Sequence, residues 1–299
     1  MEVNVDKISG SFLKSVTKPK LFTVKNIYKI VGVGSFLPSH IVTNHDLSKR
    51  LGVTPEWICL KTGILERRYS TDAEDICFMA VQAGNIAILN SNIKPSQIGL
   101  LLVATSSPDK LTPSVSTSIQ EELGLTNAWA FDLSAGCSGF LFALKTAASI
   151  LYSSAADYAL VIGADRLSSF LDWSDKKSSI LFGDGAGAFV IKKNGEIKNT
   201  YKDTFVLHST SDIHKNLSIQ PQQSHLQNSN SHFLLKMNGR EVFKSAVSSI
   251  AKSTSQLLDN HGISTKKVNY FICHQANERI IKNVGSQLKF IDSQVPINI

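Results

Sequence analysis

In FDLSAGCSGFLFALK, residues 131–145, a cysteine stands between small residues, directly ahead of a long apolar segment. Upstream, AWAFDLSA reads as a strand. Downstream, GFLFALKTAASILYSS reads as a helix, apolar on nearly every side and therefore expected at the centre of the fold. Cys137 thus falls at a strand-to-helix turn. Free backbone N–H groups at a helix start carry partial positive charge, which favours a thiolate, and the thiolate is the nucleophilic form of cysteine. Gly136 and Gly139 permit a sharp turn and the close approach of a ligand. The competing reading is a small cysteine that merely fills core.

The same alternation extends in both directions. IYKIVGVGSFLP is a first strand stopped by Gly and Pro, and TNHDLSKRL is a short helix with Asn44 as its cap. TPEWI starts a helix with Thr54 as cap and Pro55 at the first position. DICFMAVQAGNIAILNS is helical, QIGLLLVATSS is a strand covered on both faces, and VSTSIQEELG is a helix closed by Gly124. YALVIGADR is another buried strand, and ILFGDGAGAFVIKK is a turn followed by a strand. A polar stretch, residues 194–231, follows, with a possible hairpin at TFVLHSTSD. NGREVFKSAVSSIAKSTSQLLDNHG is a long helix, VNYFICHQ a buried strand, and ANERIIKNVGSQL a helix. Strands alternating with helices give an α/β layered fold, with the order weakly repeated in the second half. The expected divisions are an N-terminal extension at residues 1–26, a first half at 27–195 and a second half at 196–299.

Bulk properties narrow the function. The 299 residues suffice for one large domain or two fused halves, and 42% hydrophobic against 18% charged residues indicates a globular chain. Thirty-one Lys+Arg against 24 Asp+Glu give +7, which favours acidic or phosphate-bearing partners. No dense basic tract interleaved with aromatics is present, so nucleic acid is not expected. Cys59, Cys77, Cys137 and Cys273 form no C-x-x-C pair, which points to reduced thiols in the cytoplasm and to no metal. No uncharged apolar run reaches membrane-spanning length, and the N-terminus lacks the apolar centre of a secretory signal.

A nucleophilic cysteine needs a partner, usually histidine. Of eight His, His274 stands apart: it follows the expected strand VNYFIC and precedes a helix, where α/β folds place reactive side chains. His40, His45 and His225 sit in polar surroundings. A loop histidine satisfied by backbone is the plainer reading of His274. Cys137 and His274 nevertheless share one layout, strand then reactive residue then helix, and two such units could face each other across a pseudo-dyad.

DLSAGCSGFLFAL, ILFGDGAGAFV, NGREVFK, CHQANERI and TPEWICLKTGILERR, met in this order, closely resemble the β-ketoacyl-acyl-carrier-protein synthase III family of the thiolase-like superfamily. The resemblance runs from about Tyr28 to near Ile299. It implies a thiolase-like, five-layered αβαβα duplicated fold and a homodimer. It also implies a condensing acyltransferase of fatty-acid synthesis initiation. Acyl-CoA would acylate Cys137, and malonyl-acyl-carrier protein would then condense with loss of CO₂. His274 would stabilise the enolate, and no metal or redox cofactor would be needed. Trp57 would form the platform for the CoA adenine. Lys176 stands where the family commonly has an Arg closing the other side of that ring, and Lys61 likewise replaces an Arg. Gly239 and Asn277 would line the pantetheine tunnel. Lys244 and Arg279 would dock the acidic carrier protein. Asp184 would shape a turn in the Gly-rich loop.

The family also carries an Asn in an N-x-G-N-T-S-A-A-S segment downstream of the histidine. The sequence given stops at Ile299 without that segment, and neither Asn283 nor Asn298 matches it. The expectation is therefore an incomplete second half, from a truncated or frameshifted reading or from a degenerate paralogue. The alternative functions are a non-catalytic CoA- or carrier-protein-binding or dimerising paralogue, and an acyltransferase of specialised metabolism.

Overall fold

The computed structural model describes residues 22–23, 28–194, 204–212, 214–221 and 233–299. The expected N-terminal extension lies outside the described residues except for Phe22–Thr23, and so does most of the polar stretch between the halves.

The centre is a five-stranded sheet. Its strands are β2 (Tyr28–Phe36), β5 (Ile98–Ala104), β6 (Trp129–Leu133), β7 (Tyr158–Arg166) and β8 (Asp184–Lys193), in the order β2-β8-β7-β5-β6. β5 runs parallel to both β6 and β7, whereas β8 is antiparallel to β7 and β2. Successive residues of β5 go to opposite faces, as the two-residue period of a strand requires. Leu101 and Val103 join a core beneath α3 (Ile76–Ser91) and α4 (Val115–Glu122). Leu100, Leu102 and Ala104 join a second core beneath α5 (Gly139–Ser153). All five are buried, so the continuous apolar run GLLLVA records a strand covered on both sides.

Two glycines set how closely α3 lies on β2. A Cβ on Gly32 would fall 2.1 Å from the Ala87 carbonyl oxygen, and one on Gly34 would fall 2.1 Å from that of Ala83. Only a strand without side chains at these positions admits the helix backbone so near. On the opposite face, α5 presents Ala143, Ala147 and Ala148 to the sheet. As expected of a central helix, α5 packs on the middle strands β7 and β5, but it is not enclosed on every side. Leu141 is 54% and Tyr152 63% exposed, because the sheet covers one stripe of the helix and the other stripe has no partner among the described residues.

A satellite unit packs beside the sheet. It comprises the antiparallel pair β3 (His40–Thr43) and β4 (Glu66–Tyr69) with α1 (Asn44–Leu51) and α2 (Pro55–Thr62) between them. Thr43, not Asn44, caps α1, in a reciprocal capping box with Asp46. Asn44 instead turns inward, donating from Nδ2 to the Ile64 carbonyl at 2.7 Å and accepting from Arg67 at 2.8 Å. Thr54 and Pro55 start α2 as expected. His40 begins β3 and His45 lies in α1, whereas His225 is outside the described residues.

In the second half, the expected hairpin at TFVLHSTSD is instead a long-range pair, β9 (Thr204–Phe205) with β1 (Phe22–Thr23). The hairpin of this region is β10 (Leu217–Pro221) with β11 (Phe233–Met237). α6 (Gly239–His261) packs on α7 (Glu278–Gln287), which completes seven α-helices among the described residues. VNYFICHQ is not the buried strand expected. Tyr270 is 67% and Ile272 78% exposed, and among the described residues no strand pairs with it. A strand is held by ladder partners, and here side chains replace them. Gln294 donates from Nε2 to the carbonyls of Thr265 and Val268, and the Phe271 N–H donates to the Gln294 carbonyl at 2.7 Å. Phe271 stacks on Phe290 with ring centroids 4.9 Å apart.

Candidate active site

Three strand ends of the central sheet define the site. β6 ends at Leu133, and the chain then turns through Gly136 at φ +56°, a left-handed conformation that favours glycine. A single 3₁₀ turn, Gly136–Ser138, carries Cys137 into α5. The start of α5 sits directly on the neighbouring strands: a Cβ on Gly139 would lie 3.3 Å from Ala104 Cβ, and one on Gly163 would lie 3.2 Å from Phe140. Cys137 is thereby held over the ends of β5 and β7.

Those ends carry a carboxylate that sequence reading did not single out. Asp165, near the end of β7, accepts on Oδ1 from the Ser106 N–H at 2.7 Å, the Ser107 hydroxyl at 2.9 Å and the Thr105 hydroxyl at 3.3 Å. The Ser107 hydroxyl in turn accepts from the Arg166 N–H at 2.8 Å. Strand β5 therefore continues into a loop clamped to β7 by hydrogen bonds around one acidic side chain.

Cys137 is exposed, yet the protein around it is dense enough for burial to push its thiol up, and the negative charge of Asp165 pushes it further. The backbone amide at Cys137 acts in the opposite direction but is outweighed. Desolvation and a neighbouring carboxylate thus act against the pull of the amides on which the thiolate expectation rests. Burial lowers the pKa of His274, and Asp165 partly opposes that. His274 therefore rests as neutral imidazole near neutrality. The charge of the same carboxylate acts on Sγ and on the imidazole, two groups 137 positions apart in sequence.

Local bonds position His274. Cys273 beside it is buried, and Gln275 donates from Nε2 to the carbonyls of Cys273 at 3.0 Å and Pro296 at 3.3 Å. Asn277 caps α7, accepting from the Arg279 N–H at 2.9 Å, and its Nδ2 donates to the Lys61 carbonyl at 3.2 Å. The side-chain amide of Asn277 is thus spent on joining α7 to α2. Gly63, which closes α2 at φ +80°, reinforces that junction: a Cβ there would meet Glu278 Cβ at 2.4 Å.

The remaining expected residues fall into two groups. Trp57 is half-buried on α2 with Lys61 Nζ 6.0 Å from its ring centroid. Trp57 and Trp173 pack on one apolar cluster, and Lys176 is exposed in the loop that follows Trp173. Arg67, absent from the expected site, secures that loop: its buried guanidinium donates to Asn44 Oδ1 at 2.8 Å, to the Val42 carbonyl at 3.3 Å and to the Ile180 carbonyl at 2.9 Å. The second group lies on the second half. Gly239 opens α6, Lys244 pairs with Glu241 at 2.8 Å, and the Arg279 guanidinium lies 5.7 Å from the Phe243 ring centroid. Lys244 and Phe243 line an open groove of about 550 Å³ between α6 and α7, whose lining includes neither Cys137 nor His274. Asp184 has the structural role expected of it, accepting from the N–H and hydroxyl of both Ser70 and Ser168 at 2.6–3.0 Å.

No group of three or more His, Cys, Asp or Glu residues that could hold a metal occurs among the described residues. Among them, no helix is long and apolar enough to cross a membrane.

Comparison with known proteins decides the family. The model for 3-oxoacyl-[acyl-carrier-protein (ACP)] synthase III matches residues 131–210, and the model for its C-terminal part matches residues 258–299. The beta-ketoacyl-[acyl-carrier-protein] synthase III of Clostridium acetobutylicum is 40% identical over 283 residues, covering 92% of this chain and 84% of that protein. This chain belongs to the 3-oxoacyl-[acyl-carrier-protein] synthase III family. The corresponding protein of Ehrlichia ruminantium is 37% identical over 91% of this chain and 84% of its own. The crystal structure of the Aquifex aeolicus synthase III superposes with a TM-score of 0.77 at 35% identity, over 91% of this chain and 84% of that one. The priming beta-ketosynthase of the R1128 polyketide pathway superposes with 0.80 at 30% identity, over 93% and 82%. The thiolase-like α/β fold expected from the sequence is that of these synthase III structures.

Proposed function

We propose that Cys137 and His274 carry out a two-stage carbon–carbon condensation of the β-ketoacyl-acyl-carrier-protein synthase III type, at the initiation of fatty-acid synthesis. Cys137 Sγ attacks the thioester carbonyl of acyl-CoA, the CoA thiol departs with the proton, and an acyl-cysteine remains. The malonyl thioester of acyl carrier protein then loses CO₂. The electron pair of the broken C–C bond becomes an enolate, whose carbon attacks the acyl-cysteine carbonyl and expels Sγ. His274, kept neutral by burial, donates its N–H to the malonyl thioester oxygen as negative charge develops there.

What supports this reading is that Cys137 stands at the strand-to-helix turn over the ends of β5 and β7, and that the charge of one carboxylate at those ends acts on both Cys137 and His274. Trp57, Lys61 and Lys176 would hold the nucleotide end of CoA, Gly239 and Asn277 would flank the pantetheine arm, and Lys244 and Arg279 would meet the acidic carrier protein beside Phe243. A homodimer would pair the open edge of β6, where Trp129 is 52% exposed. Light scattering should give twice the chain mass, and Trp129→Asp should reduce it toward the monomer.

Incubation with acyl-CoA followed by intact-mass measurement tests the chemistry. Wild type should gain one acyl group, and Cys137→Ala none. His274→Ala should still acylate yet lose roughly 10²–10³-fold in condensation with malonyl-carrier protein. An acyl group persisting on Cys137→Ala removes Cys137 from the mechanism.

A further inference from the structure

The imidazole of His274 makes no hydrogen bond among the described residues, so its place is set by the backbone on either side of it. Two side chains hold that backbone. Gln275 Nε2 donates back to the Cys273 carbonyl at 3.0 Å, closing the chain around His274, and Gln275 Oε1 accepts from the Asn298 N–H at 3.1 Å. Asn277 reaches the other way. While its Oδ1 caps α7, its Nδ2 crosses to α2 and donates to the carbonyl of Lys61, 216 positions earlier.

The α2 end of this link is rigid. Thr62 is buried, and its hydroxyl donates to the Ile58 carbonyl at 2.8 Å and accepts from the Ile64 N–H at 2.9 Å. The Ile64 carbonyl accepts from Asn44, which Arg67 holds in turn. Between Thr62 and Ile64 stands Gly63, and α7 lies directly on it. The three atoms that a Cβ at Gly63 would meet within 3.1 Å all belong to the side chain of Glu278, the first residue of α7.

We propose that the α2–α7 junction positions His274, with Asn277 as the positioning residue and the bare Cα of Gly63 setting the distance. α2 also carries Trp57 and Lys61, so the histidine segment hangs on the helix that would hold the nucleotide end of CoA. The inference rests on the reading of His274 as the donor that stabilises the enolate. Such a donor must stand within hydrogen-bond reach of the developing oxyanion, and a misplacement of about 1 Å costs on the order of 10²-fold. A side chain at position 63 would produce that displacement, because residues 62–64 are fixed from below and α7 must give way.

Gly63→Ala in the full chain should shift the imidazole NMR signals of His274 with no substrate present, and slow condensation with malonyl-carrier protein roughly 10²-fold. Acylation of Cys137 by acyl-CoA should stay within about threefold, because the histidine donates only in the second stage. Glu278→Gly added to Gly63→Ala clears all three contacts but leaves alanine at the positive φ. This double variant should recover condensation by about tenfold or more and return the His274 signals toward wild type. Unmoved signals in Gly63→Ala, equal losses in both stages, or no recovery in the double variant overturns the proposal. Should Gly63→Ala not fold, Asn277→Asp decides. It keeps the oxygen that caps α7 and turns a second acceptor on the Lys61 carbonyl in place of the donor. The same His274 signals should shift in this variant, and unchanged signals overturn the proposal. The substrate-free signals report the junction alone. A wild type that acylates but never condenses removes the enolate role of His274 instead, so the two failures are distinguishable.

Discussion

At the residue scale, Tyr69 shows how burial without a partner becomes a pH dependence. Its ring packs edge-on to Trp173, and its hydroxyl is buried with no hydrogen-bond partner among the described residues. Desolvation pushes its pKa up to about 12, with the Arg67 guanidinium opposing. Below about pH 10 both folded and unfolded states hold the phenol proton. Between pH 10 and 12 only the unfolded state loses it, so stability falls across that window by about 2–3 kcal/mol. Tyr69→Phe should abolish this part of the alkaline loss in urea titrations at pH 8 and 11. It should leave stability at pH 8 unchanged or slightly raised, since no hydrogen bond is lost. An unaltered alkaline loss in the variant would show that other groups cause it. His274 has the opposite sign: its lowered pKa means that stability is lost as pH falls below about 6.5, where the unfolded imidazole takes up a proton first.

At the scale of elements, the approach of α3 to β2 is the tightest constraint. Gly34→Ala would drive a Cβ into the Ala83 carbonyl oxygen and the Ala87 N–H, both backbone atoms that cannot rotate away. We expect a loss of about 2–3 kcal/mol, read as a lower urea midpoint at unchanged slope. A neutral Gly34→Ala would mean that α3 slides freely on the sheet. The helices and strands of the first half were legible because their periods are unambiguous: β5 has a run apolar on both faces, and Thr54–Pro55 has only one sensible use. Two misreadings were local. Thr43 and Asn44 are both good cap residues, and only the buried Ile64 carbonyl that accepts from Asn44 and the Arg67 guanidinium that donates to it show why the asparagine is drawn inward. α5 is apolar all round in sequence, yet the sheet covers one stripe.

At the scale of the whole molecule, the placement of His274 depends on a remote glutamine. Gln294 is 9% exposed and ties the carbonyls of Thr265 and Val268 to the turn at Ile291, whose N–H it accepts at 3.0 Å. Gln294→Ala leaves those groups unpaired and should cost about 2–3 kcal/mol. It should also slow condensation at least tenfold while acylation of Cys137 stays within twofold, because only the histidine segment is loosened. Equal losses in both stages would contradict this division. The strand expected at VNYFICHQ failed for the same reason. An apolar run announces a buried strand, but pairing is a property of neighbours, and here the Gln275 and Gln294 side chains and the Gln294 carbonyl supply the bonds.

By itself the sequence determined the order of strands and helices in the first half, the glycine turn that presents Cys137, and the motif order that marks the family. These depend on short-range periodicity, backbone conformation and residue identity, all written locally. Tertiary structure alone decided that the charge of Asp165 acts on both the thiol and the imidazole, that burial pushes the thiol up, and that Arg67, Gln275 and Gln294 hold their segments in place. The physical reason is that desolvation, Coulomb fields and long-range hydrogen bonds depend on which groups meet in space. The charge of Asp165 reaches the Cys137 turn only after β5, β6 and β7 have been brought side by side.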